Sequence, residues 1–272
     1  MRLVTFQRLD GTWEAGEYRD GGYYTLGTST VLDIIRKGGS VDRREQFRLR
    51  SEPLLRAPLI PGKILCVGRN YAEHAAELGN KMPDKPLIFA KFGTSVITSG
   101  EHIVWRAAIT SQVDWEGELG VVIGKRVKDI TPEEADDAIF GYVVANDVSA
   151  RDLQDADKQW ARAKGMDTFC PIGPYLVTKD EIEDAHNLTI ETRVNDEVMQ
   201  RGHTGDMFFK IPTIIAYLSQ TFTLEPGDLI LTGTPAGVGK GMTPPRFLQD
   251  GDVVSVTIEG LGSVRNTCRV ID

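Results

Sequence analysis

Cysteine is scarce. Cys66, Cys170 and Cys268 are odd in number and widely separated. They provide neither a disulfide framework nor a zinc site, and the expected setting is a reducing cytoplasm. Long apolar runs are missing too. No stretch approaches the roughly 20 residues that span a bilayer. Met1-Arg2-Leu3-Val4-Thr5-Phe6-Gln7-Arg8 lacks the apolar core of a secretion signal. Positive charge is in deficit, with 31 Lys and Arg against 39 Asp and Glu, a net charge of -8. That balance argues against nucleic acid or an anionic membrane as partner, but leaves small anionic substrates open, because these respond to the local field. Internal repeats and low-complexity segments are absent. What remains is an ordinary globular composition: 272 residues, 41% hydrophobic and 26% charged. This length suits one large domain, or a main domain with a small appendage.

Residues 1 to about 60 read as a small β-rich unit, and residues 61 to 272 as the main domain. Leu3 to Phe6, Trp13 to Tyr18 and Tyr23 to Leu26 are short strand candidates, punctuated by Asp10-Gly11 and Asp20-Gly21-Gly22. Ser29 or Thr30 can cap a helix over Val31 to Arg36 that stops at Gly38-Gly39. Lys63 to Gly68 reads as the first strand of the main domain, Leu87 to Phe92 as a buried apolar segment, and Gly141 to Ala145 as another buried strand. Thr131-Pro132-Glu133-Glu134 carries helix-start signals, with Ala135, Ala138 and Ile139 as the apolar side. Asn195-Asp196 predicts a hairpin, and Ile211 to Leu218 a short helix. Many strands, few short helices and many Gly/Pro turns give an α+β, β-rich fold rather than a doubly wound one.

The stretch with most chemical content is Asp114-Trp115-Glu116-Gly117-Glu118, entering the apolar run Leu119 to Gly124. On a strand, residues two apart share a face, so Glu116 and Glu118 stand side by side, with Asp114 possible in line. Like charges that close need a proton, a basic partner or a cation, and oxygen ligands suit magnesium, manganese or calcium. The bland alternative is a solvated edge. His74 and Glu77, three apart on a helical run, are neighbours, which suits an oriented general base; an idle exposed pair is the alternative. Asp147 ends a buried strand and reads either as a metal ligand or as a turn acid. Lys164 precedes an irregular, proline-bounded stretch, as a lysine reaching into a cleft or a solvated one. The loop Gly233 to Gly241 fails as a phosphate loop: Thr234 stands where the first glycine should, and Gly241 replaces the required Ser or Thr. Its amides and the Thr234 hydroxyl could instead grip a carboxylate, or form a structural turn.

Taken in order, Val67-Gly-Arg-Asn-Tyr-Ala-Glu-His74, Asp114 to Gly124, Asn146-Asp-Val-Ser-Ala-Arg-Asp152, Asp167 to Pro174 and Leu231 to Gly239 resemble the fumarylacetoacetate hydrolase family. Within it they resemble the longer members that carry an N-terminal β unit. The resemblance covers about residues 61 to 270. It implies a mixed β-sandwich roll, usually a homodimer, with one divalent cation per site: magnesium or manganese, with calcium possible in crystals. It places the metal carboxylates on Glu116, Glu118 and Asp147, and the water-activating pair on His74 and Glu77, on a segment that closes over the substrate. It adds Lys164 as a catalytic residue, and Arg69, Gln154 and Thr234 as substrate-binding residues. Asp114 is expected to support the ligands rather than be one.

The implied activity is metal-dependent hydrolysis of a carbon–carbon bond in an acylpyruvate-like 2-oxo acid through an enolate. An oxaloacetate decarboxylase, or an isomerase of an unsaturated 2-oxo dicarboxylate such as 2-hydroxyhepta-2,4-diene-1,7-dioate, uses the same groups. A catalytically silent binder of metal or 2-oxo acid is the alternative outside enzymes.

Overall fold

A computed structural model describes residues 1–27, 30–41 and 46–272. The largest sheet is mixed. At one end lie β3 (Gly22–Thr25), β2 (Trp13–Arg19) and β1 (Arg2–Gln7), with β4 (Leu55–Arg56) also paired to β1. The order continues through β14 (Leu176–Thr178), β11 (Ile139–Asn146), β10 (Gly117–Ile123), β17 (Leu229–Leu231), β5 (Ile64–Gly68) and β6 (Leu87–Lys91). A second sheet holds β16 (Glu197–His203), β15 (Thr189–Val194), β18 (Val253–Ile258), β19 (Gly262–Ile271) and β8 (His102–Arg106). Two short pairs complete it: β9 (Val113–Asp114) with β12 (Ser149–Ala150), and β7 (Val96–Ile97) with β13 (Cys170–Pro171). The helices are short: α1 (Val31–Arg36), α2 (Ala72–Glu77), α3 (Arg151–Asp157), α4 (Ala161–Lys164) and α5 (Ile211–Thr221). The architecture is the expected β-rich α+β one. Among the described residues no helix is long and apolar enough to cross a membrane.

The unbroken apolar runs of β10 and β11 have a simple cause: every residue of both strands is buried, because both faces of the sheet are covered. Leu119, Val121 and Val144 face the second sheet and α5, meeting Ile190, Val256, Ile214 and Ile215. Their neighbours Val122 and Val143 face the other way, toward Ile34 and Ile35 of α1. Alternation with period two thus separates two cores across one sheet.

Hydrogen bonding does not stop at residue 60. β1 pairs antiparallel with β14, and α1 packs on the far face of the same sheet. Thr30 caps α1 by accepting from the Asp33 amide at 3.1 Å, while Ser29 lies outside the described residues. Asn195 and Asp196, at φ 51 and 66, make the tight hairpin that joins β15 to β16. Two local expectations change. Pro132–Ala138 is a 3-10 helix and Ile139 already belongs to β11. The three-residue spacing of Ala135 and Ala138, both buried, matches that tighter period. The Leu87 to Lys91 segment is an edge strand in which Leu87, Ile88 and Phe89 are only half-buried and Ala90 is exposed, and it is Lys91 that is buried.

The start of α5 has a histidine acceptor. His186 Nε2 accepts from the Ile211 amide at 3.1 Å, so this nitrogen must be unprotonated. Burial, and then Lys210, hold the His186 pKa below its ordinary value of 6.5, against Asp184. Its contribution is therefore complete above pH 6.5 and is lost as pH falls toward the depressed value, where the unfolded chain binds the proton first. Thermal melts should lose stability on acidification through this window, and part of that loss should be absent in His186→Gln. Identical pH dependence in both would contradict the assignment.

Candidate active site

Strand register assembles the acids. β10 and β11 pair so that Gly117 lies opposite Asn146. Glu116 and Glu118 therefore flank the start of one strand beside Asp147 at the end of the other. The Asp147 amide donates to the Glu116 carbonyl at 2.8 Å, and the Glu116 amide donates to Asn146 Oδ1 at 3.0 Å. Carboxylate oxygens of Glu116, Glu118 and Asp147 lie within 4.8 Å of one another, all buried. Asp114 turns away to a different task. It accepts from the amides of Gly239 at 2.7 Å and Lys240 at 3.0 Å, and from Arg151 Nε at 2.8 Å.

Three buried cations face this cluster. Lys164, the last residue of α4, places Nζ 2.7 Å from Glu116 Oε2 and 2.8 Å from Asp147 Oδ2. Arg151 Nη1 is 2.7 Å from Glu116 Oε1. Lys91 Nζ donates to Asp147 Oδ1 at 2.6 Å, to the Val148 carbonyl at 3.2 Å and to the Lys164 carbonyl. Its three protons are thus all used. Burial raises the Glu116 pKa, but Lys164 and Arg151 outweigh it and the net direction is down. Lys164 goes up: burial opposes its charge, and Asp147 and Glu116 prevail. Among the described residues Glu118 makes no ion pair, although the charge of Lys164 acts on it against the larger effects. Burial, then Asp147 and Glu116, push its pKa well above the ordinary range, and its Oε2 accepts from the Gly233 amide at 2.7 Å. Three buried carboxylates this close repel one another, and a hard divalent cation would relieve that repulsion, since all three donors are oxygens.

His74 and Glu77 sit on α2, and Nδ1 of the buried imidazole lies 2.8 Å from Glu77 Oε1. Glu77 Oε2 accepts from the Gly237 amide at 2.9 Å, which ties α2 to the glycine-rich loop. The amides of that loop do grip carboxylates, but those of the protein: Glu118, Glu77 and Asp114. Buried carboxylates need donors, and the nearest backbone supplies them. The Thr234 hydroxyl donates to the Gly117 carbonyl at 2.9 Å and accepts from Gln200 Nε2 at 2.7 Å. Its proton is committed to the fold. Arg69, His74, Glu116, Glu118, Gln154, Lys164 and Thr234 all line one cavity of ≈ 310 Å³. Asp147 lies just behind them at 0% exposure.

Sequence reasoning missed Lys91, Arg151 and Gln200. Lys91 is the lone charge at the end of an apolar segment. Arg151 stands four residues after Asp147, in the stretch quoted for the family resemblance, but its partner Asp114 is 37 residues away in sequence.

A polar cavity built on buried carboxylates, a buried lysine and a His–Glu pair defines a small-molecule enzyme site of the kind that holds a metal ion. The family profile described as fumarylacetoacetate (FAA) hydrolase C-terminal matches residues 63–269. The chain belongs to the fumarylacetoacetate hydrolase family. It is 48% identical to the Xenopus laevis protein named oxaloacetate tautomerase fahd2, mitochondrial, over 98% of this chain and 89% of that one. Among solved structures it matches the fumarylacetoacetate hydrolase from psychrophilic Exiguobacterium antarcticum at 41% identity and a TM-score of 0.91, covering 100% of both chains. It also matches the 2-hydroxyhepta-2,4-diene-1,7-dioate isomerase from Mycobacterium marinum at 37% identity and a TM-score of 0.80, covering 99% of this chain and 98% of that one.

Removing one partner of a buried ion pair strands the other. Lys91→Met should destabilise the fold by about 3–5 kcal/mol in urea denaturation, and adding Asp147→Asn should restore part of the loss. Additive losses in the double variant would show that the pair does not couple.

Proposed function

We propose that this protein is a divalent-cation-dependent enzyme that interconverts the keto and enol forms of oxaloacetate. The carrying observation is the convergence of Glu116, Glu118, Lys164 and the His74–Glu77 pair on one small cavity, with Asp147 behind it. The name of the frog relative supports the choice among the reactions such a site can run. A magnesium or manganese ion held by Glu116, Glu118 and Asp147 would supply Lewis-acid stabilisation of negative charge on a 2-oxo oxygen. Glu77 fixes His74 through Nδ1, which leaves Nε2 as the free base. His74 takes the proton from C3 of the substrate as the carbon–hydrogen bond breaks, and the Lys164 ammonium donates one to the oxygen that becomes the enol hydroxyl. The reverse path returns both. The bond from Gly237 to Glu77 holds α2 over the cavity, keeping bulk water from the base.

Hydrolysis of an acylpyruvate-type carbon–carbon bond is the second reading. A His–Glu pair suits water activation equally well, and the Exiguobacterium neighbour carries a hydrolase name. Decarboxylation of oxaloacetate or diene isomerisation would use the same groups. A homodimer, and a division at about residue 60 into an N-terminal unit and a catalytic domain, are proposals alongside this one.

Oxaloacetate and acetylpyruvate should be assayed side by side with magnesium, manganese or chelator. The expected result is enol–keto exchange of oxaloacetate that chelator abolishes and that falls by about 10²–10⁴ in His74→Asn. Acetylpyruvate cleavage without tautomer exchange would replace this reading with the hydrolase. Exchange indifferent to chelator and to His74 would overturn both.

A further inference from the structure

β16 forms one edge of the second sheet, and its burial breaks the alternation expected of a strand. Met199 and Gln200, adjacent in sequence, are both buried, while Val198 and Arg201 on either side are exposed. The cause is a bulge. Thr192 of β15 pairs with Gln200, but Arg193 pairs with Val198, which leaves Met199 as an extra residue. A bulge re-aims the side chains beside it, and bulges gather next to active sites. Here it brings Gln200, at 0% exposure, onto Gly117, the residue between Glu116 and Glu118.

The hydrogen bonds close a ring. The Gly117 amide donates to Gln200 Oε1 at 3.0 Å, Gln200 Nε2 donates to Thr234 Oγ1 at 2.7 Å, and Thr234 Oγ1 donates to the Gly117 carbonyl at 2.9 Å. Gln200 Nε2 also donates to the Pro235 carbonyl at 2.8 Å. A backbone nitrogen only donates and a backbone carbonyl only accepts, so Gly117 fixes the direction of every bond in the ring. Three glycines clear the room for it. A Cβ on Gly117 would lie 2.3 Å from Thr192 Oγ1, one on Gly202 2.4 Å from the Pro235 side chain, and one on Gly237 2.1 Å from the Met199 carbonyl oxygen. β16 and the glycine-rich loop therefore meet with little between them, and Gln200 bonds both to the start of β10.

The loop residues on either side of Thr234-Pro235 serve the site. The Gly233 amide donates to Glu118 at 2.7 Å, and the Gly237 amide donates to Glu77 at 2.9 Å. Without the Gln200 amide, the buried Gly117 N–H and Pro235 carbonyl would lose their partners, and the loop would be free to shift between those two contacts. Gln200 does not line the cavity, so it acts through the groups it holds. We propose that Gln200 is a positioning residue: it locks Gly117 to the loop, and so sets the spacing of Glu116 and Glu118 together with the amide contacts of Glu118 and Glu77. This step rests on the cation-site reading of Glu116, Glu118 and Asp147.

The test titrates manganese calorimetrically into the folded full chain of wild type, Gln200→Met and Thr192→Val. Gln200→Met keeps the side-chain length and loses the amide. Thr192 packs on the same Gly117, but its hydroxyl has no hydrogen-bond partner. Gln200→Met should weaken manganese binding by about 10–100-fold. Thr192→Val should stay within about twofold, since it breaks no hydrogen bond. If Gln200→Met fails to fold, Thr234→Val, which opens the ring at the hydroxyl, carries the comparison and should weaken binding about tenfold. Wild-type affinity in the ring variant, or an equal loss in Thr192→Val, would overturn the assignment. If wild type binds no manganese, the cation-site reading fails by itself. A crystal structure of the ring variant then decides: loss of the Gly233 and Gly237 amides from Glu118 and Glu77 supports the positioning role, and an unmoved loop overturns it.

Discussion

Four buried carboxylates share three buried cations, and the rest of the site is arranged around that mismatch. Asp114 and Glu116 are served by Arg151, Glu116 and Asp147 by Lys164, and Asp147 again by Lys91. Glu118 is left with a backbone amide. Charges buried this deeply are tolerated only when paired and hydrogen-bonded. A cluster one cation short suits a divalent ion, whose charge would complete the pairing. The same requirement explains why the glycine-rich loop folds over the acids: its amides are the donors that Asp114, Glu77 and Glu118 need.

The two-sided core makes the arrangement stiff. Glu118 lies on β10, and Glu116 and Asp147 stand one residue outside β10 and β11, strands buried along their whole length, so the carboxylates cannot separate without disturbing packing on both faces of the sheet. The chain entering α2 is held by Asn70, whose Nδ2 donates to the carbonyls of Phe209 and Thr232. α2 spans six residues and reaches the loop through the Glu77–Gly237 contact. An acidic floor beneath a helix anchored to the glycine-rich loop suits a site that must exclude water from its base.

Much of this was legible in the residues. Period-two spacing put Glu116 with Glu118, three-residue spacing put His74 on Glu77, and turn residues located the hairpin at Asn195-Asp196. What was hidden shares one property: it depends on partners distant in sequence. Lys91 passes unnoticed inside an apolar segment until β6 proves to be an edge strand whose last side chain reaches Asp147. Arg151 gains meaning only when β12 pairs with β9 and brings Asp114 to it. The pairing of β1 with β14, across more than half the chain, leaves no local signal in either segment. The choice among hydrolysis, decarboxylation and isomerisation was equally out of reach, because all three draw on one set of groups, and keto–enol exchange of oxaloacetate was not among the readings.

The central claim, that Glu116, Glu118 and Asp147 form one cation site, is tested most directly by calorimetric titration of manganese into wild type and Glu118→Gln. Glu118 lacks a cationic side-chain partner in the cluster, so this variant should keep the fold, as judged by thermal melting. Wild type should bind one ion per chain, and Glu118→Gln should weaken binding by about a hundredfold or more. Equal binding in the two proteins would contradict the account.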